Sequence, residues 1–207
     1  MSVQNMTQGR PARLLMSVAL PLMLGNIFQQ LYTVVDAHIV GSVLGVNALA
    51  AVGASDWLNF LFMGMLQGFA MGFAIPMAQA FGANDHAKLR KYAGNALVLS
   101  AVTAAVFTTL AFSLIRPVLS LLKTPADILP ASTLYLRVLF AGMPIVMGYN
   151  LLAAALRSLG DGKSPLYAMI VASFINIGLD YLFVSGLGWG VGGAALATVT
   201  AQFFSIC

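Results

Sequence analysis

The chain has 207 residues, 60% of them hydrophobic and only 8% charged, with 10 Lys and Arg against 6 acids, all of them Asp. A soluble domain carries about 25% charged residues, so a water-facing globular surface is excluded, and so is disorder in a chain this apolar. The class that remains is a polytopic helical membrane protein, in which the net charge of +4 marks cytoplasmic loops and does not point to nucleic acid.

Charge-free runs locate the spans, since about 20 apolar residues are needed to cross the hydrocarbon core. In chain order, helices are predicted at approximately 14–38, 47–80, 88–115, 132–157, 164–185 and 191–207, behind a tail at 1–13. The chain therefore reads as an all-α membrane protein, a bundle of six transmembrane helices. The sixth is expected to be truncated, because 14 residues follow Gly193 and extend only ~21 Å of the ~30 Å required. Arg10, Arg13, Lys88, Arg90, Lys91, Arg157 and Lys163 fall on one side, and Arg116, Lys123 and Arg137 on the other. The positive-inside rule puts the N-terminus in the cytoplasm.

Two glycine patterns invite a reading. Gly64, Gly68 and Gly72 form a small-residue ridge on the second helix, expected to let another helix of this protein approach closely. Gly160-Asp-Gly-Lys-Ser164 looks like part of a phosphate loop, but Arg157 stands where the motif needs glycine and no strand precedes it, so it reads as a tight turn. His38 and His86 are isolated, and the single cysteine is Cys207. Neither metal-ligand spacing nor a catalytic arrangement can be argued, and enzyme chemistry has no support.

Polar residues inside the spans carry the information. Ser173, Asn176 and Asp180 share a face of the fifth helix, with Met169 a turn below. Gln29, Tyr32 and Asp36 do the same on the first, and Thr198 and Gln202 on the sixth. Ionisable groups in a membrane point into the bundle or a wet cavity. By helical rise, Asn176 lies ~18 Å and Asp180 ~24 Å above Ser164. Thr198 lies at a similar height, and Asp36 somewhat higher unless Pro21 bends or tilts its helix. Two carboxylates, an amide and a hydroxyl form an all-oxygen set that suits a hard cation, and the same carboxylates could carry protons. Na⁺ and H⁺ fit equally well.

Several separated motifs occur in order: Pro21 with Tyr32-Thr-Val-Val-Asp36 and Gly41, then Gln79-Ala-Phe-Gly82-Ala-Asn-Asp85, and Leu156-Arg157-Ser-Leu-Gly160-Asp161-Gly-Lys163-Ser-Pro165. Asn176-Ile-Gly-Leu-Asp180-Tyr181 and Gly190-Val-Gly-Gly193-Ala-Ala-Leu-Ala-Thr198 complete the set. With these motifs the chain resembles, over roughly Leu14 to Phe204, the N-terminal half of a transporter of the multidrug and toxic compound extrusion (MATE) family. The resemblance implies one lobe of a twelve-helix transporter in the plasma (inner) membrane of a prokaryote, exporting cationic, amphipathic drugs in exchange for Na⁺ or H⁺. It implies a coupling-ion site at Asp36, Asn176, Asp180 and Thr198, and a bending role for Pro21. No cofactor is expected beyond the coupling ion, and no metal beyond that Na⁺.

Gln29, Tyr32, Asn150 and Met169 are expected to face the drug cavity, where aromatic faces suit cations and Met adapts to varied shapes. The expected partners are the lipid bilayer, cationic drugs and a second, C-terminal lobe. A related flippase for lipid-linked sugars is an alternative that calls for more cationic residues in the cavity. A non-transporting truncated fragment is another.

Overall fold

The computed structural model describes residues 11–206, apart from the side chains at 11–15, 17, 18, 21 and 22. These residues form seven α-helices and no strand: α1 (Pro11–Leu44), α2 (Val46–Gly82), α3 (His86–Leu121), α4 (Leu129–Ala141), α5 (Met143–Ser158), α6 (Lys163–Asp180) and α7 (Gly190–Phe204). α2, α3 and α6 with its following turn are long and apolar enough to cross a membrane, and α4 with α5 makes a fourth span if the bent pair counts as one. The 34 residues of α1 extend ~51 Å, well past the ~30 Å core. Large apolar side chains face outward around the bundle, among them Phe60, Val98, Leu121 and Phe174, as a lipid-facing surface requires.

Residues buried on α2 are spaced three and four apart, through Leu58, Phe62, Leu66, Ala70, Ala74 and Met77. This stripe faces α3 and α5. Phe62 anchors it, with its ring centroid 5.3 Å from Phe140 of α4 and 6.2 Å from Phe107 of α3. Gly64, Gly68 and Gly72 stand two residues on from Phe62, Leu66 and Ala70, hence ~200° around the helix. Nothing lies within 4 Å of where a Cβ would sit on any of the three. The expectation that this ridge packs against a helix of this chain is therefore corrected: among the described residues it is bare, because the bulky stripe on the other side already meets α3 and α5.

The stretch read as one helix over 132–157 is two, bent by 47° at Gly142. The cause is local. Pro144 lacks an N–H to continue the ladder, and a Cβ at Gly142 would collide with both methyls of Val199 on α7. The break lets α7 approach. At the end of α6 the ladder changes step: Tyr181–Gly186 forms a π-helical turn, with Leu187 N–H donating to Leu182 C=O at 2.8 Å. Such turns concentrate at functional sites, and this one begins on the residue after Asp180. Gly188 and Gly190, both with φ above +60°, then turn the chain into α7. The contacts divide the bundle into α2, α3 and α5 on one side and α1, α6 and α7 on the other, joined through α4–α7 and α1–α2.

Candidate functional site

α1, α6 and α7 bring the polar faces together. Asp180 is fully buried, Asn176 is 2% exposed and Asp36 8% exposed. Asn176 Nδ2 donates to Thr198 Oγ1 at 3.5 Å, a long contact, and the Thr198 hydroxyl donates to Ala194 C=O at 3.2 Å. The two aspartates lie within electrostatic reach of each other, and the Tyr32 phenol lies within reach of both.

Several acceptor oxygens are left unpaired. Asp36 Oδ1, Asn176 Oδ1, both Asp180 oxygens and Gln202 Oε1 are buried with no hydrogen-bond partner among the described residues. Leaving one such group unpaired costs about 1–3 kcal/mol, more for a charged one. Five acceptor oxygens without a donor are an arrangement that a cation or a proton would complete. No group of three or more His, Cys, Asp or Glu that could hold a metal occurs among the described residues, so any hard cation here would draw on amide and hydroxyl oxygens as well.

Below the carboxylates lies a small cleft. Gln29, Tyr32 and Met169 line it, and Asn176 and Thr198 reach its upper wall. Gly25 makes room for Met169: a Cβ there would sit 3.3 Å from the Met169 sulfur. Asn150 does not line this cleft. Its neighbour Tyr149 does, because one residue is a rotation of ~100° on a helix. Pro21 lies within α1, but its side chain is outside the described residues, and so is its proposed bending role.

Three residues of the site were not legible from spacing. Tyr149 and Ser205 line the cleft. Tyr135 of α4, 6% exposed, lies within electrostatic reach of Asp36, Asp180, Tyr32 and a further acid, Asp56. A polar residue on the α2-facing side of α4 was the available signal for it: Ser132, one turn earlier, donates to Ala51 C=O at 2.9 Å.

The loop acids are of a different kind. Asp161 Oδ1 accepts from Lys163 and Ser164 N–H at 3.1 and 3.0 Å, and Oδ2 from the Ser164 hydroxyl at 2.6 Å. Asp85 accepts from Lys88 N–H at 3.0 Å and pairs with its ammonium at 3.1 Å. These donors, the Ser164 hydroxyl foremost for Asp161 and the Lys88 N–H for Asp85, hold both carboxyls below the ordinary range.

Comparison with known proteins agrees with the fold. The profile of the MatE family matches residues 21–182. The chain is 31% identical over 202 residues to the "probable multidrug resistance protein YpnP" of Bacillus subtilis, covering 98% of this chain and 45% of that protein. It is 34% identical over 183 residues to the "probable multidrug resistance protein YoeA" of the same organism, covering 86% of this chain and 40% of that one. A solved structure of a MOP superfamily transporter from Pyrococcus furiosus superposes with a TM-score of 0.90 at 29% identity, over 98% of this chain and 44% of that chain. The chain thus spans less than half the length of these relatives.

Proposed function

We propose a specific transport role, starting from the fact that this chain belongs to the MatE family, a family of multi-pass membrane transporters. The chain acts as one lobe of a two-lobe exporter that moves amphipathic cationic compounds outward in exchange for Na⁺ or H⁺. Asp36 and Asp180 carry the coupling ion, with Asn176 and Thr198 as neutral ligands, and the cleft of Gln29, Tyr32 and Met169 receives the drug. The observation that carries this reading is the set of buried, donor-less oxygens directly above a cleft whose lining includes no Lys or Arg. That lining argues against a phosphate-bearing lipid-linked sugar, which would call for cationic side chains.

Exchange follows from shared residues. Asn176 and Thr198 belong both to the oxygen cluster and to the cleft wall. A drug seated against them and a cation bound by them disfavour one another, so each shifts the transporter toward a different state. The bare ridge of Gly64, Gly68 and Gly72 supports docking of a second lobe, since small residues let backbones approach in lipid. The lobe sits in the plasma membrane with the Gly82–Tyr92 loop cytoplasmic, on the positive-inside rule. Labelling of cysteines substituted at 88 and 123 with an impermeant thiol reagent tests that orientation: labelling in intact cells is expected at 123 alone, and labelling at 88 alone reverses it.

The function is tested in liposomes holding the full-length transporter that carries this chain. An imposed Na⁺ gradient at fixed pH, or a proton gradient at fixed Na⁺, should drive ethidium against its concentration gradient in one arm. Ethidium movement indifferent to both gradients would refute the exchange mechanism.

A further inference from the structure

Asp56 is a carboxylate on α2 that the mechanism above leaves idle. It stands on α2, eleven residues past Gly45, while Asp36 stands nine residues before it on α1. Gly45 alone joins the two helices, and its φ of +86° is open to glycine at little cost. The register of the hairpin is fixed by contact: a Cβ on Gly41 would lie 3.3 Å from Leu49 Cδ2, each four residues from the turn. Asp36 and Asp56 therefore stand at ~14 and ~16 Å from the turn, and Asp36 feels the charge of Asp56.

Height and burial give this pair a direction. Asp56 lies 26 residues from Gly82 at the other end of α2, which is ~39 Å, farther than the ~30 Å core is thick. It is exposed, at the mouth opposite the Gly82–Tyr92 loop. From there burial deepens stepwise, through Asp36 at 8% to Asp180 at 0%. Asn59 follows Asp56 by one turn on the same face of α2 and holds a buried Oδ1 with no partner, as Asp36 does. No Lys or Arg pairs with Asp36, Asp56 or Asp180 among the described residues, where the single ion pair is Lys88 with Asp85. Arg116, Lys123 and Arg137 lie on the same outer side but pair with none of these acids among the described residues, so the row of carboxylates itself is negative, and such a lining concentrates cations at its mouth.

We propose that Asp56, with Asn59 beside it, is an outer capture site that draws a hydrated monovalent cation from the water at the mouth and passes it to Asp36 and Asp180. The inference rests on the coupling-ion reading given above. Asp56 is not a ligand of the inner site: it does not form a three-acid cluster with Asp36 and Asp180. Its role is to set how readily the ion arrives, so its removal acts on the concentration dependence of coupling and leaves the saturated rate intact.

The test uses the full-length transporter in liposomes, with ethidium efflux followed against Na⁺ at fixed pH and against pH at fixed Na⁺. In the arm that drives transport, Asp56→Asn should raise the cation concentration for half-maximal coupling roughly threefold to tenfold, a single charge's share of electrostatic steering. The maximal rate should stay within about twofold, Asp56→Glu should restore the wild-type midpoint, and the shift should shrink as choline chloride screens the carboxylate. Asp36→Asn and Asp180→Asn should abolish coupling at every concentration. An unshifted midpoint in Asp56→Asn overturns the capture role, and so does a loss of coupling that saturating cation fails to restore. Wild-type coupling in Asp180→Asn overturns the inner site itself, whatever Asp56→Asn does.

Discussion

Asp161 and Asp180 are nineteen residues apart, at opposite ends of one helix, and they hold opposite chemistries. Asp161 stands before α6 and accepts from two backbone N–H groups and a hydroxyl. Asp180 closes α6 with both oxygens buried and unpartnered. Asp85 and Asp36 repeat the contrast, the first capping α3 with Lys88 as its partner and the second left with a bare buried oxygen. A helix N-terminus supplies free N–H donors to an acid placed there; the interior of a bundle supplies none. An acid with all its donors is part of the scaffold. An acid held in the interior without them costs stability, and on the reading proposed above that cost belongs to a site for a ligand that arrives and leaves.

Substitutions sharpen this division, and the largest effect is expected at Asp180. Asp180→Asn keeps the shape and removes the charge, so ion-driven efflux should fall more than about tenfold, a loss of roughly 1.4 kcal/mol or more of coupling. The same protein should melt no lower than wild type, because a buried unpaired charge has been relieved. A marked fall in melting temperature would move Asp180 into the scaffold class. Next comes Thr198→Ala. It removes one neutral oxygen and frees Asn176 Nδ2 from its long contact, and should shift the cation midpoint by about fivefold, near 1 kcal/mol. An unchanged midpoint would take Thr198 out of the ion site.

The smallest effect is expected in the loops, with the opposite signature. Asp161→Ala should lower stability by about 1 kcal/mol, as loss of a helix cap does, and leave coupling unchanged. Its dependence on pH has a defined sign. The folded carboxyl of Asp161 lies below the ordinary range, so its contribution is full above that range and is lost as pH falls through the lowered value. Melting curves of wild type and variant should therefore converge as pH falls below the ordinary carboxylate range. Curves that stay apart in acid would mean that the cap does not act through its charge.

Much of this division can be read in the sequence. The i, i+4 pairs Asn176–Asp180 and Tyr32–Asp36 put polar groups on single faces of apolar helices, and helical rise brings them to comparable heights. What could not be read depends on rotation and on neighbours. Asn150 and Tyr149 differ by one helical step, and periodicity along a mostly apolar helix does not say which of them meets the cleft. The Gly64–Gly68–Gly72 ridge is plain as a pattern, yet only the packed stripe on the other side of α2 reveals that no helix among the described residues fills it. The charge-free run across Gly142 reads as one helix, because nothing within the run shows that Val199, far along the chain, packs against Gly142. Asp56 falls inside the helix predicted over 47–80 with nothing in the sequence to mark its neighbours, and it becomes informative once the Gly45 hairpin brings it level with Asp36.

The direct measurement is cation uptake by the purified full-length transporter carrying this chain, by ²²Na⁺ binding at fixed pH and by proton uptake in weakly buffered, Na⁺-free solution. Wild type and Asp161→Asn should take up the same amount of one of the two ions, and Asp180→Asn should lose that uptake while remaining folded. Equal uptake in Asp180→Asn and wild type, for both ions, would contradict the claim that the donor-less aspartates of the bundle hold the coupling ion.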